Sequence, residues 1–567
     1  MTYSVSEVQD WIKHDPDEAN RAELEALLEK AEGGDAEAAT DLSDRFKGML
    51  EFGTAGLRGK MAAGPYRMNS AVVRKAAAGL TDWLKEKVGD DALVVIGYDA
   101  RYHSEEFARD TAAIVTAAGL RAKLMPRKLP TPLLAGAVRY YGADAGVMVT
   151  ASHNPKWDNG YKVYVGGRAV DEDGNGVQIV PPIDKEIAAA IKATGPADEI
   201  ELAAGGWETI DEDYINWYVQ TTAGNLPQGT SRDLKIVYTP MHGVGAEVIL
   251  RVFEEAGFKD VVTVAEQLRP DPEFPTVSFP NPEEAGALDL AIALAKKEDA
   301  DIVIASDPDA DRTSAAIPTG DGEWRQLSGD EIGSLLGECV ATLAVEQGRT
   351  GNLASSIVSS RLLKEIAGSH GLGYVPTLTG FKWIARSPEI LFGYEEAIGF
   401  CVSPQVVKDK DGLSGGSLLS WLAANLKAQG KTLQNELDRL ALEHGVYLTA
   451  PVTVRVEDLS IIPATMAKLR KEPPSELAGS PVASIVDLSD ADAAKEALGV
   501  PPTDALMIHT EANDRVMIRP SGTEPKVKCY LEVIVPVSGP EALEDAKAAA
   551  RERLARFRED VSEALKL

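Results

Sequence analysis

Four short stretches of this 567-residue chain combine residue types suited to a phosphate, a cation and a polyhydroxylated ligand. The first centres on Ser152, in Thr150-Ala151-Ser152-His153-Asn154-Pro155, directly after the apolar run Val147-Met148-Val149. Such a run reads as a buried strand, and Pro155 can continue neither a ladder nor a helix, so the hydroxyl is presented at a strand end. The second is Asp307, Asp309 and Asp311, spaced by two after another apolar run. On extended backbone that period sends all three carboxylates to one side, where they can converge on a hard cation; oxygen-only ligands favour magnesium over zinc. An EF-hand is ruled out, because Arg312 stands where glycine is needed and Pro318 at the twelfth position. The third stretch runs from Arg519 through Pro520, Ser521, Gly522 and Thr523 to Lys528. A forked guanidinium, two hydroxyls, a flexible glycine and further cations suit a dianionic phosphate. The fourth, Gly393-Tyr394-Glu395-Glu396-Ala397-Ile398-Gly399, sets two carboxylates among glycines, ready to accept hydrogen bonds from vicinal hydroxyls.

Taken alone, each stretch has a plainer reading: a polar connector, a solvated acidic turn, a basic hairpin, a surface loop. Three like charges after a buried strand, however, repel one another unless a cation neutralises them. Lys408-Asp409-Lys410-Asp411-Gly412 reads independently as a solvated charged turn. Gly53-Thr54-Ala55-Gly56-Leu57-Arg58-Gly59-Lys60 is not a Walker A loop, since Thr54 replaces a required glycine and Met61 follows the lysine. In His242-Gly243-Val244-Gly245 the third Rossmann glycine is replaced by Val248, so these glycines are expected to allow a tight strand-to-helix turn.

The elements that must position these groups repeat. Strand, helix, strand, helix, strand is read from Leu93 to the strand before Ser152, again from Leu234 to Ala305, and less clearly from Glu331 to Gly393. Alternation of this kind implies parallel or mixed sheets covered on both faces, with ligands beyond the carboxyl ends of the strands. The last segment alternates more strongly, at Val452 to Val456, Arg515 to Ile518 and Val527 to Val535, and closes with a charged amphipathic helix from Glu541. The expected fold is therefore α/β: three similar α/β domains with mixed sheets plus a smaller C-terminal α+β domain around a central cleft, divided at 1–205, 206–322, 323–449 and 450–567.

A hydrophobic content of 44% with 26% charge is that of a chain folded nearly throughout. A net charge of −30 with no extended basic face argues against nucleic acid or an anionic membrane as partner, while a local cationic loop can still attract an anionic small molecule. Three separated cysteines, Cys339, Cys401 and Cys529, suit a reducing compartment. Met1 to Asp15 is polar and no run reaches the roughly 18 apolar residues of a span, so a cytoplasmic protein, monomeric or weakly oligomeric, is expected.

In their order and spacing, Thr-Ala-Ser-His-Asn-Pro, Asp-Pro-Asp-Ala-Asp-Arg, Gly-Tyr-Glu-Glu and Arg-Pro-Ser-Gly-Thr-Glu-Pro resemble the α-D-phosphohexomutases, the family of phosphoglucomutase and phosphomannomutase. The resemblance implies a phosphoserine at Ser152 that gives its phosphate to a sugar phosphate and regains one from the bisphosphorylated sugar. It implies one Mg2+ per chain, held by Asp307, Asp309, Asp311 and the Ser152 phosphate, and a sugar bisphosphate as intermediate and activator. Lys162, Arg312 and Arg58 match basic residues at the transferring phosphate. Arg519, Ser521, Gly522 and Thr523 match the loop gripping the other phosphate, on a hinged last domain. Glu395 matches a sugar-hydroxyl acceptor, Lys410 a lysine near the substrate phosphate, and Thr379-Gly380 with Phe381 to Trp383 a loop that distinguishes the sugar's orientations. The four domains would then carry phosphoserine, metal, sugar and phosphate in turn.

The activity so implied is interconversion of glucose 1-phosphate and glucose 6-phosphate, with phosphopentomutase or phosphomannomutase activity as the alternative. Ala397 stands where many phosphoglucomutases have serine, as in the phosphopentomutase-like branch, whereas Gly380 to Trp383 leans towards glucose over mannose phosphates. Two other functions compete: a phosphatase with Asp307 as nucleophile, and a non-catalytic sugar-phosphate sensor.

Overall fold

The computed structural model describes residues 3–53, 56–455, 461–520 and 526–565. They fall into two compact units, Met1–Gln326 with Gly399–Ala424, and Leu327–Ile398 with Asn425–Leu567.

The first unit holds two mixed sheets built on one plan. In one, Ala145–Val149 lies parallel to Leu93–Tyr98, which lies parallel to Arg121–Leu124. Asp158–Val165 then returns antiparallel to Ala145–Val149. In the other, Ile302–Ser306 lies parallel to Lys235–Thr239, which lies parallel to Asp260–Thr263, and Thr313–Pro318 returns antiparallel. Every residue of Leu93–Tyr98, Ala145–Val149 and Ile302–Ser306 is buried, as strands covered by helices on both faces require. The Ser152 loop and the aspartate loop thus occupy equivalent places, at the carboxyl end of the strand before each antiparallel return.

Three N-terminal helices, Val5–His14, Glu18–Glu32 and Ala36–Arg45, are capped by Ser4, Asp17 and Asp35. They bury Val8, Leu24, Leu28 and Leu42 around Ala63, and Arg45 ties them down by donating to Glu23, Asp41 and the Ala63 carbonyl. These helices were not anticipated from sequence, because their apolar stripes supply only two buried hydrophobic residues each. Among the described residues, Gly399–Ala424 adds to this unit through the bridge between Arg312 and Gly399.

In the second unit, Asn352–Ser356 lies parallel to both Gly373–Thr377 and Ile390–Glu395. The last part is an antiparallel sheet in the order Val446–Arg455, Lys526–Val535, Arg515–Pro520, Leu506–Thr510, Ser480–Asp487, Glu476–Leu477. Helix Leu543–Ala564 buries Ala546, Ala550, Leu554, Phe557 and Val561, a stripe at helical spacing.

A buried charge network fastens this sheet to the one before it. Glu532, fully buried, accepts from the Ser360 hydroxyl at 2.8 Å, the Arg361 amide at 2.8 Å and Arg361 Nε at 2.5 Å. Arg515 Nη2 lies 3.5 Å from the same carboxylate and also donates to the Ser359 carbonyl at 2.7 Å. Burial works against the Glu532 carboxylate, but Arg515 and Arg361 outweigh it and hold the group below its ordinary range. Glu532→Ala would leave two guanidinium groups under-paired, and a loss of about 3–5 kcal/mol in the second unit's stability is expected. Denaturant unfolding of the variant checks this, and a change under about 1 kcal/mol would contradict it.

Candidate active site

Within the first unit, Ser152 sits 3% exposed at the end of its strand, with φ at +52° in the left-handed region. Its amide donates to Thr150 Oγ1 at 2.9 Å, and its hydroxyl donates to Asp307 Oδ2 at 2.8 Å. The sequence-expected group thus assembles: Ser152, Asp307, Asp309, Asp311, Lys162, Arg312, Arg58 and Lys410 all lie in this unit and around this contact.

The three aspartates converge, but not by the alternation along an extended loop that their spacing suggests. Strand Ile302–Ser306 stops before Asp307, the Ala310 amide bonds back to the Asp307 carbonyl at 2.9 Å, and Ala310 takes φ +55°. Pro308 favours this turn, and the turn gathers the carboxylates: one oxygen from each lies within 4.8 Å of the others. The segment Met241-His242-Gly243 supports it from below. A Cβ on Gly243 would come within 2.4 Å of the Pro308 Cα, so beyond the tight strand-to-helix turn expected of these glycines, Gly243 permits a close approach to the aspartate loop.

Each carboxylate has a distinct set of partners. Asp307 Oδ1 accepts from the Arg312 amide at 3.1 Å. Asp309 Oδ2 accepts from Thr131 Oγ1 at 2.6 Å and Lys162 Nζ at 2.7 Å. Asp311 Oδ2 accepts from Lys162 Nζ at 2.9 Å, with Lys410 Nζ at 3.2 Å. Asp309 Oδ1 and Asp311 Oδ1 are buried and make no hydrogen bond among the described residues, Arg312 Nε lying 3.7 Å from the latter. Two unsatisfied carboxylate oxygens beside Ser152, in an all-oxygen set, fit a hard divalent cation. Electrostatics divide the three. Burial and the charges of Asp309 and Asp311 push the Asp307 carboxyl well up, while for Asp309 burial is outweighed by the Lys162 ammonium, which holds it low. Burial, then the Arg312 and Arg58 cations, hold His153 well below its ordinary range.

Arg58, on Leu57–Lys60 opposite Gly160, donates to Asn154 Oδ1 at 3.1 Å. Lys410 corrects the reading of its segment as a solvated turn: Lys408, Asp409, Lys410 and Asp411 are all buried. Asp409 accepts from Tyr164 OH at 2.7 Å and Gln178 Nε2 at 3.1 Å, and Asp411 accepts from Tyr218 OH at 2.8 Å. Those partners are more than 190 residues distant in sequence, beyond the reach of any local pattern.

Within the second unit, Glu395 ends Ile390–Glu395, half-buried. Glu396 Oε2 accepts from Ser356 Oγ at 3.0 Å and Ser359 Oγ at 3.1 Å. Arg519 donates to Thr379 Oγ1, joining two of the expected substrate residues, and Gly380 adopts φ +106° at the start of Phe381–Ile384. Ser521, Gly522 and Thr523 lie outside the described residues. The last domain, on which a hinge is expected, is joined to the sheet before it by the buried Glu532 network.

Sequence reasoning missed Thr131, which orients Asp309, and the pair Asp99 and Arg101 beneath the Ser152 loop. The signal available for the pair was two opposite charges spaced by two, straight after the apolar run Leu93–Tyr98.

Family models for phosphoglucomutase/phosphomannomutase match in order: α/β/α domain I at residues 49–197, domain II at 212–320, domain III at 328–442 and the C-terminal domain at 452–563. A probable phosphomannomutase of Haemophilus influenzae is 45% identical, over 82% of this chain and 93% of its own. A phosphoribomutase of Saccharomyces cerevisiae is 36% identical, over 92% and 91%, and a phosphoglucomutase of Staphylococcus haemolyticus 34%, over 88% and 93%. A crystal structure of a putative phosphomannomutase from Thermus thermophilus shares the fold with a TM-score of 0.66 at 24% identity, covering 89% of this chain and 99% of that one. Among the described residues, no helix is long and apolar enough to cross a membrane.

Thr131→Val is expected to weaken magnesium binding about 10- to 100-fold by freeing Asp309, and calorimetric titration with Mg2+ would reveal it; an unchanged affinity contradicts the orienting role. A second expectation concerns pH. Burial, with Glu395 and Asp330 close by, pushes the Glu396 carboxyl up to about 7 from an ordinary 4.5. The folded state then keeps a proton that the unfolded chain gives up. This contribution to stability is full at low pH and is lost as pH rises through about 7. Urea unfolding between pH 5 and 7 should show a shallower loss in Glu396→Gln than in the parent, and equal slopes would refute the shift.

Proposed function

The chain belongs to the phosphoglucomutase/phosphomannomutase family and is an intramolecular phosphotransferase; from that premise we propose that it interconverts glucose 1-phosphate and glucose 6-phosphate through a phosphoserine at Ser152. The observation that supports this best is the Ser152 hydroxyl 2.8 Å from Asp307, beside two carboxylates with unsatisfied oxygens.

In the first half-reaction the free hydroxyl oxygen of the sugar phosphate bonds to the Ser152-borne phosphorus, the bond from Ser152 Oγ to phosphorus breaks, and Ser152 ends with the hydroxyl proton. The sugar is then a bisphosphate. After it reorients, the same step runs in reverse with its other phosphate, which returns to Ser152 as a proton returns to the sugar oxygen. The catalytic residues in this reading are Ser152, Lys162, Arg312 and Arg58. Asp307, Asp309, Asp311 and a Ser152 phosphate oxygen would hold Mg2+, which when bound neutralises charge on the phosphoryl group. Lys162 Nζ, between Asp309 and Asp311, presents a cation to the same group. Arg519, with Ser521, Gly522 and Thr523, takes the non-transferring phosphate; Glu395 takes sugar hydroxyls; Thr379, Gly380 and Lys410 complete the substrate contacts. Residues 1–205, 206–322, 323–449 and 450–567 accordingly serve as phosphoserine, metal, sugar and phosphate domains.

A second reading, a pentose phosphate substrate, draws on Ala397 beside Glu396, which offers no hydroxyl to a hexose, and on the phosphoribomutase relative. Turnover of glucose, mannose and ribose 1-phosphates at one bisphosphate concentration separates the substrates: kcat/KM highest for glucose is expected, and highest for ribose would overturn the choice of sugar while keeping the mutase. Ser152→Ala is expected to abolish turnover and the phosphate adduct seen by intact-protein mass spectrometry. Full activity in that variant would sink the phosphoserine, and steady release of inorganic phosphate in place of isomerisation would favour a phosphatase.

A further inference from the structure

Asp99 and Arg101 follow the strand Leu93–Tyr98 and are 1% and 3% exposed, charges that burial would penalise unless their partners justify it. Their partners are almost all in the loop that carries Ser152. Arg101 Nη2 donates to the carbonyls of Ser152 and Asn154, both at 2.6 Å. Its Nη1 donates to the carbonyls of Pro155 at 2.8 Å and Asp158 at 3.0 Å. All four terminal N–H groups are thereby committed, Nε lies 3.6 Å from Asp99 Oδ2, and the guanidinium stacks over the Phe274 ring at 5.3 Å. The remaining donor, Nε, makes no hydrogen bond among the described residues, but it is buried beside Asp99, so Arg101 presents no exposed donor to a phosphate or a sugar.

Asp99 closes the other side of the loop. It accepts from the Arg101 amide at 2.9 Å, Ser104 Oγ at 2.7 Å and Thr150 Oγ1 at 2.6 Å, and Thr150 Oγ1 in turn accepts from the Ser152 amide. Both ends of residue 152 are thus tied to one buried ion pair, its N–H by way of Thr150 and its C=O by Arg101. That matters because Ser152 holds a left-handed φ of +52°, a conformation a non-glycine residue leaves when its surroundings allow.

We propose that Arg101, set by Asp99, is the positioning residue for Ser152: it holds the strained loop so that Oγ faces the aspartate cluster, and it touches neither substrate nor the transferring phosphate. The inference rests on Ser152 being the phosphate carrier. A misplacement of about 1 Å at a reacting atom can cost on the order of 100-fold in rate, and neither lysine nor asparagine can span four converging carbonyls with a planar fork.

The test uses full-length Arg101→Lys, Arg101→Ala and Asp99→Asn with glucose 1,6-bisphosphate as phosphoryl donor. Readouts are kcat, KM, the rate at which Ser152 gains phosphate by intact-protein mass, and the melting temperature. Arg101→Lys should stay folded, lose about 100-fold in kcat and in the Ser152 phosphorylation rate, and keep KM within about threefold, since no substrate contact is removed. Guanidinium chloride at tens of millimolar should restore part of the Arg101→Ala rate, whereas sodium chloride at equal ionic strength should not. The proposal is overturned if Arg101→Lys turns over at the parent rate, if KM rises in step with the fall in kcat, or if the losses merely track the unfolded fraction without guanidinium rescue. Should Arg101→Ala fail to fold, Arg101→Lys and Asp99→Asn decide alone. Full activity in Ser152→Ala would instead remove the phosphoserine reading itself, a separate outcome.

Discussion

Three carboxylates buried side by side under a serine hydroxyl constrain everything around them in the first unit. Left alone they would repel, and one would take up a proton; the push upward on Asp307 expresses this. The chain resolves the conflict with cations supplied by distant segments: Lys162 from the strand after the serine loop, Arg312 from the start of the return strand, and Lys410 from the buried loop of the returning segment. Each of these needs its own scaffold. Lys410 reaches Asp311 from a loop whose carboxylates on either side of it are bound by Tyr164, Gln178 and Tyr218. The cluster is incompletely neutralised even so, and the two carboxylate oxygens without hydrogen bonds are where a divalent cation would complete the balance.

The second unit obeys a different constraint, a single buried glutamate. Glu532 lies in the antiparallel sheet, and its hydrogen bonds go to Ser360 and Arg361 at the end of the parallel one. Arg515 runs the same joint in the other direction, donating to the Ile357 and Ser359 carbonyls, while the Ser359 hydroxyl binds Glu396. The glutamates expected to face a sugar are thus supported by the strand that leads to the expected phosphate loop. The loop expected to face a sugar and the strand leading to the expected phosphate loop are joined by buried hydrogen bonds within the unit.

What the sequence disclosed follows from which interactions leave local traces. Parallel strands buried on both faces, such as Val94 to Tyr98 and Ile302 to Ala305, are continuous apolar runs, so the repeated α/β plan was legible. The residues proposed to react stand out because hydroxyl, carboxylates and guanidinium lie at strand ends in recognisable groups. Geometry was less so. The aspartates meet through a turn at Pro308 and Ala310, although their spacing suggested an extended loop. The burial of Lys408 to Asp411 depends on tyrosines from another segment, and Arg101 serves four main-chain carbonyls, which have no residue identity to read. The N-terminal helices were missed because their stripes are short and mostly polar.

The central claim is that phosphate passes through Ser152 on every turnover. Rapid-quench kinetics with glucose 1,6-bisphosphate carrying radiolabelled phosphate would follow it directly. The account predicts label on Ser152 that appears, and is chased into sugar phosphate by unlabelled substrate, at least as fast as kcat. Label that reached Ser152 more slowly than turnover, or that settled on a different residue while isomerisation continued, would contradict it.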